Sequence, residues 1–194
     1  MTVVDLDYAL LRKTSRGDQR AFAELMHHHQ DRVYRLAWRL LRQAQEAEDA
    51  AQEVFLKAYQ NAGRFTPTGT VAAWLNRITA NHCLNLLRSR KVKKEVAWED
   101  LDSPSGQTGD FPDVSGEASN PLNLVTGKEC AAHIQQALAA LPENQRQALV
   151  LKRFGDFSYQ EIGEMLGLSA AAVDGLIKRA RQNLRQALGE YLES

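Results

Sequence analysis

Ser158–Arg181 reads SYQEIGEMLGLSAAAVDGLIKRAR, two short helical patterns around one glycine-containing turn. Ser158 and Glu161 stand three apart, the spacing at which a hydroxyl and a carboxylate satisfy each other's backbone donors at a helix start. Ile162, Met165 and Leu166 then supply one apolar face. Gly167 is placed to end this helix, and Leu168 is expected to pack inward. Ser169 caps a second helix, with Val173, Leu176, Ile177, Ala180 and Leu184 as its buried stripe. Helix, turn, helix is a DNA-binding arrangement in which the second helix enters the major groove N-terminus first.

Lys178, Arg179, Arg181 and Arg185 run along that second helix. Such a run often does no more than solvate an exposed face. Following a complete turn motif, it reads better as phosphate contact. Upstream, Leu141-Pro142 is expected to open a helix through Leu151, with Pro in the first turn. Helical periodicity is traced from Cys130 onward, and no strand alternation or internal repeat occurs in the chain.

Working back from the motif, the 194-residue chain divides by charge. Its formal net charge is zero, but residues 1–94 hold 16 Lys and Arg against 9 Asp and Glu. Residues 95–127 hold 7 acidic residues and no basic ones, while 8 of each balance from 128 onward. A basic N-terminal half suits a polyanionic partner, which the acidic stretch would repel. In 95–127 helical periodicity fails and Ser, Gly, Pro, Asp and Asn dominate (DSPSGQTGDFPDVSGEASNP). That composition buries too little to offset ordering entropy, so it is expected to be a flexible linker. Its 33 residues would average roughly 30–35 Å end to end, about one turn of DNA.

The N-terminal half reads as three to four helices in a bundle. Phe22, Leu25, Met26, Val33, Leu36, Ala37 and Leu40 recur at three- and four-residue steps, as do Ala47, Ala50, Ala51, Val54, Phe55 and Ala58. A third stripe is traced through Val71, Trp74, Leu75, Ile78, His82 and Leu86, after a loop at Gly63–Gly69 (GRFTPTG). The polar face of that third helix carries Arg77, Asn81, Asn85 and Arg88, followed by Arg90, Lys91, Lys93 and Lys94. Asn can bond base edges while Arg and Lys take phosphates. Phe65 and Trp74 lie near enough to wedge against unstacked bases, although an aromatic at Trp74's spacing is more often core. Glu46, Glu48, Asp49, Gln52 and Glu53 make a different, acidic face. It suits a protein partner rather than DNA, or else it is ordinary solvated helix charge.

The rest of the sequence narrows the function by exclusion. No apolar run approaches the ~20 residues of a membrane span, and Met1–Leu11 lacks a basic start and apolar core, so a cytoplasmic location is expected. Cys83 and Cys130 form no C-x-x-C pair and read as small apolar residues. Nucleotide-binding loops and H-E-x-x-H are missing, so no catalytic residues, cofactor or enzymatic activity are expected. His27-His28-His29 invites a metal reading, but neighbours on a helix point about 100° apart and are not expected to converge on one ion.

EAEDAAQEVFLKAY (Glu46–Tyr59), WLNRITAN (Trp74–Asn81) and Leu141–Arg181, in this order, resemble the sigma-70 family of bacterial transcription initiation factors. The resemblance is to its extracytoplasmic-function class, and it covers nearly all the chain outside 95–127. It implies an all-α fold of two small domains, a helical bundle over 1–94 and a helix-turn-helix over 128–194. It further implies that Glu46, Asp49, Gln52 and Glu53 dock on the β′ clamp helices of core RNA polymerase, with the β flap a second contact. Arg64, Phe65, Trp74, Arg77, Asn81, Asn85 and Arg88 would melt and read the −10 promoter element, with one base flipped into a pocket. Ser169, Ala170, Ala172, Lys178, Arg179 and Arg181 would read the −35 element. Control by an anti-sigma factor is implied as well. One departure stands out: Asp174 and Leu176, preceded by Ala170, Ala171 and Ala172, stand where many relatives have basic residues early in the recognition helix. Readout there is expected to fall to Lys178, Arg179 and Arg181 or to DNA shape. The alternative is a helix-turn-helix regulator that never binds polymerase. It would need neither the acidic face nor the Asn-bearing basic helix.

Overall fold

A computed structural model describes residues 3–66, 69–96 and 133–192. The expected linker therefore falls almost wholly outside the described residues, as does Cys130. All regular structure among the described residues is helical, in two compact units.

The first unit holds four helices, α1 (Val3–Thr14), α2 (Gln19–Leu41), α3 (Ala44–Asn61) and α4 (Val71–Val96), with a 3-10 turn at Ala62–Arg64. Local chemistry sets their ends. Asp18 accepts from the N–H groups of Arg20 and Ala21 at 3.0 and 3.1 Å, capping α2. Arg42 closes α2 in the left-handed conformation, φ 62°, its N–H returning to the Trp38 carbonyl. The Thr70 hydroxyl accepts from Ala73 N–H at 3.1 Å and starts α4.

Leu25, Val33, Val54, Phe55 and Leu75 form the centre of this unit, with Leu10 and Leu11 from α1 completing it. Helix α1 precedes the first stripe visible in the sequence, because its inward face mixes Leu10 and Leu11 with the buried, polar Asp7. A 12-residue helix is marginal alone. Burying two leucines contributes roughly 1.5–3 kcal/mol each, enough to hold it in place.

The stripe expected on α4 needs correction by a rotation. Val71, Leu75, Asn76, Thr79, Ala80, Cys83 and Leu84 are the buried residues, whereas Trp74, Ile78, His82 and Leu86 are half-buried on its shoulder. Small and polar side chains on the packed face hid it: Thr79 satisfies its hydroxyl on the Leu75 carbonyl at 2.8 Å. Helix α4 also runs to Val96, two residues past the expected end of the basic domain.

The second unit begins with a helix at 133–140, α5, followed by α6 (Glu143–Val150), α7 (Tyr159–Leu166) and α8 (Ala170–Leu192). Pro142 precedes α6 as its cap residue, with an extended ψ of 140°, rather than lying in its first turn. Helix α6 loosens into a π-helical turn at Leu151–Gly155. Helix α8 packs against both α6 and α7, burying Val173, Ile177 and Ala180 against Ala148, Val150, Leu151 and Ile162 as the core of the unit. Asn183 Nδ2 donates to Gln145 Oε1 at 3.0 Å between α8 and α6.

Candidate docking and nucleic-acid surfaces

The acidic face lies on α3. Glu48, Asp49 and Gln52 are exposed, and Glu53 is partly exposed with an i,i+4 ion pair to Lys57 at 3.6 Å. Glu46 departs from the group: it is half-buried and ion-paired to Arg90 of α4, so it ties two helices together. Sequence reading missed Leu56. It is 51% exposed and, four residues after Gln52 and seven after Asp49, shares their side of the helix. An exposed leucine beside carboxylates offers a partner an apolar and a charged contact together, but Leu56 directly follows Val54 and Phe55 and so reads in the sequence as part of their apolar run.

Helix α3, the 3-10 turn and α4 build an open cleft of about 360 Å³, lined by Lys57, Asn61, Arg64, Trp74, Ile78, Asn81, His82 and Asn85. Four of the seven residues expected to read the −10 element thus line one cavity. Its charge is basic and its walls mix amides with an indole ring, which suits a nucleobase with its phosphate. Phe65 stands behind Trp74, edge to face, with ring centroids 5.4 Å apart. Both are half-buried, so the wedge and the core readings of Trp74 meet in one residue. Arg77 and Arg88 are exposed on α4, and Arg88 donates to Asn85 Oδ1 at 3.0 Å. That bond leaves the Asn85 amide nitrogen as the outward donor.

Lys57, Asn61 and His82 were missed as cleft residues: His82 reads as part of the apolar stripe of α4, and nothing in the pattern of α3 shows that Lys57 and Asn61 face another helix. Lys57 Nζ lies 2.8 Å from His82 Nδ1, and Asn61 Nδ2 donates to the Lys57 carbonyl at 2.8 Å. Burial, then the Lys57 ammonium, push the His82 pKa below its ordinary 6.5, with Glu53 acting weakly in the opposite sense. Behind the cleft, burial drives the Cys83 thiol up to about 12, which makes it an inert apolar filler.

In the second unit the capping box forms: Ser158 N–H donates to Glu161 Oε2 at 2.9 Å, and Ser158 Oγ accepts from Glu161 N–H at 3.2 Å. Gly167 is left-handed, φ 70°, and Leu168 N–H returns to the Gly163 carbonyl at 2.8 Å. A Cβ on Gly163 would meet the Leu168 carbonyl oxygen at 2.5 Å, so the corner closes backbone on backbone. The expected inward packing of Leu168 is overturned for this reason. Its main chain fills the corner and its side chain is 37% exposed.

Ser169 Oγ accepts from Ala172 N–H at 3.2 Å and caps α8. Ala170, Ala171 and Ala172 follow it, exposed, as do Lys178, Arg179 and Arg181. Lys178 is ion-paired to Asp174 at 2.8 Å, and that hydrogen bond raises the Lys178 pKa. Asp174, which departs from the basic pattern, therefore engages a cation that would otherwise face phosphate.

Among the described residues no group of three or more His, Cys, Asp or Glu side chains could hold a metal ion. His28 and His29 nonetheless converge on the two oxygens of one carboxylate, that of Asp7. No described helix is long and apolar enough to cross a membrane.

Residues 25–92 match the family described as sigma-70 region 2, and residues 132–184 match sigma-70, region 4. The chain is 33% identical over 178 residues to the ECF RNA polymerase sigma factor SigW of Bacillus subtilis, covering 92% of this chain and 94% of SigW. The chain belongs to the sigma-70 family, in its extracytoplasmic-function class. The Pseudomonas aeruginosa RNA polymerase sigma-H factor is 32% identical to this sigma factor over 195 residues, covering 99% and 98% of the two chains. SigE of Mycolicibacterium smegmatis is 37% identical over 179 residues, which are 90% of this chain but only 65% of SigE. Two solved structures share the fold. The sigma factor RpoE of Bartonella quintana, in complex with the anti-sigma factor NepR, aligns at TM-score 0.62 and 22% identity, over 87% of this chain and 96% of that one. CnrH, in complex with the cytosolic domain of CnrY, aligns at TM-score 0.58 and 24% identity, over 96% and 99%.

Proposed function

We propose that this sigma factor binds core RNA polymerase in the cytoplasm and confers promoter-specific initiation, without catalysing a reaction itself. The first unit is the polymerase-docking and −10 module, with Asp49, Gln52, Glu53 and Leu56 on the β′ clamp helices. The cleft bounded by Arg64, Trp74, Asn81 and Asn85 takes a flipped base. Phe65 backs the wall, and Arg77 and Arg88 take flanking phosphates. The second unit is the −35 module, contacting the β flap. Ser169, Ala170 and Ala172 face the groove, Arg179 and Arg181 contact phosphate, and Lys178 stands beside them held in its pair with Asp174. The expected linker, shortened at its start by the extension of α4 to Val96, joins the two.

The observation that carries this reading is the cleft: residues from α3, the 3-10 turn and α4, up to 28 positions apart, meet around one base-sized cavity with basic walls. A regulator that binds only closed duplex through a helix-turn-helix has no use for it. Two of its structural neighbours are held in complexes, one with an anti-sigma factor. By analogy we assign this chain an anti-sigma partner that occludes the same surfaces. Reconstitution with core enzyme on a genomic DNA library tests the proposal. Specific initiation above core alone is expected, and its failure would return the chain to the class of plain regulators.

A further inference from the structure

The Asp7 carboxylate is 5% exposed, and none of the surfaces described above uses it. One of its oxygens lies 2.9 Å from His29 Nε2 and the other 3.3 Å from His28 Nδ1. A carboxylate at that depth is tolerated only with such partners. Apolar contacts from Leu10 and Leu11 hold α1 down without direction. Two hydrogen bonds to consecutive residues of α2 also fix its rotation and its height.

That orientation is transmitted. Tyr8, next in the chain, places its ring 6.1 Å from the ring of Phe65, tilted by 51°. Phe65 in turn stands edge to face with Trp74 in the cleft wall. Helix α1 also packs against the 3-10 turn that leads into Phe65. A continuous path therefore runs from the Asp7 clasp through Tyr8 and Phe65 to Trp74.

We infer that Asp7, clasped by His28 and His29, and Tyr8 are positioning residues for promoter opening: they set the aromatic wall that receives an unstacked base. This rests on the reading of the cleft as the −10 site. A ring pair of this kind is worth about two- to tenfold in an equilibrium.

The test uses holoenzyme reconstituted with full-length Tyr8→Ala or Asp7→Asn, and a duplex promoter carrying 2-aminopurine in the −10 element. Both variants are expected to open the duplex about two- to tenfold less favourably, to bind core as the wild type does, and to recover on a template already unpaired at −10. The double variant should be no worse than the stronger single one. A purely structural role would lower core affinity and leave the defect on the unpaired template. Should Asp7→Asn fail to fold, Tyr8→Ala, at a partly exposed ring, decides alone. Wild-type opening by Tyr8→Ala while Phe65→Ala is slow overturns the inference only. Wild-type opening by Phe65→Ala overturns the reading of the cleft, and the inference with it.

Discussion

Lys57 Nζ stands 2.8 Å from Nδ1 of His82, so the imidazole accepts from an ammonium and keeps its own proton on Nε2. Glu53 holds the same lysine from the other side at 3.6 Å. An acidic residue of the docking face and an imidazole in the cleft wall thus share one cation between them.

A pH dependence follows. The folded chain keeps His82 neutral to lower pH than the unfolded chain does, because burial and Lys57 both disfavour its charged form. The unfolded chain then binds the extra proton first, and stability declines as pH falls below about 6.5. Denaturant unfolding at about pH 7 and about pH 5.5 should show a smaller decline in His82→Gln than in the wild type. Equal declines in the two proteins would contradict the shift.

Asp49→Arg and Leu56→Asp should each weaken core polymerase binding at least tenfold while leaving the melting temperature within a few degrees, since both side chains face solvent. Glu46→Gln should behave the other way round. It removes the ion pair to Arg90 at a cost of up to about 1 kcal/mol in stability, with little effect on docking. Binding titrations beside thermal melts separate the two; equal docking losses would restore Glu46 to the surface.

Asp174→Asn should strengthen −35 binding. It removes a carboxylate from the DNA-facing helix and frees Lys178 from its 2.8 Å pair. If Lys178 then neutralises one phosphate, the log–log salt slope steepens by roughly 0.9. Arg179→Ala should flatten it by a similar amount. A slope unchanged in both variants would place neither residue on the backbone.

Gly163→Ala should cost about 1–3 kcal/mol, the range for overpacking, because the added methyl meets a main-chain oxygen that cannot swing aside. Chemical denaturation measures it, and −35 binding should fall with it as the corner opens. A neutral substitution would mean that α7 and α8 can part without loss.

The sequence was most legible where chemistry is local. Ser158–Glu161 and Gly167 behave as their spacing and backbone freedom require, and the stripes of α2 and α3 pack as read. It was least legible where partners are distant. Asp7 gave no signal in the sequence, because the histidines that satisfy it lie 21 and 22 residues away. On α4 the packed face is built from Thr79, Ala80 and Cys83, which carry little hydropathy signal, so the shoulder of Trp74, Ile78 and His82 was mistaken for it. The Asn-bearing face of α4 was read from its spacing and its −10 role from resemblance, but its convergence with Lys57 and His82 needed the three-dimensional arrangement.

At Gly163 the angle between α7 and α8 is settled by a contact that involves no side chain. Selection can therefore rewrite Ala170–Ala172, Asp174 or Lys178, exchanging one promoter vocabulary for another, while the frame presenting those letters stays constant. A chain built this way can diverge in what it recognises without relearning how to fold.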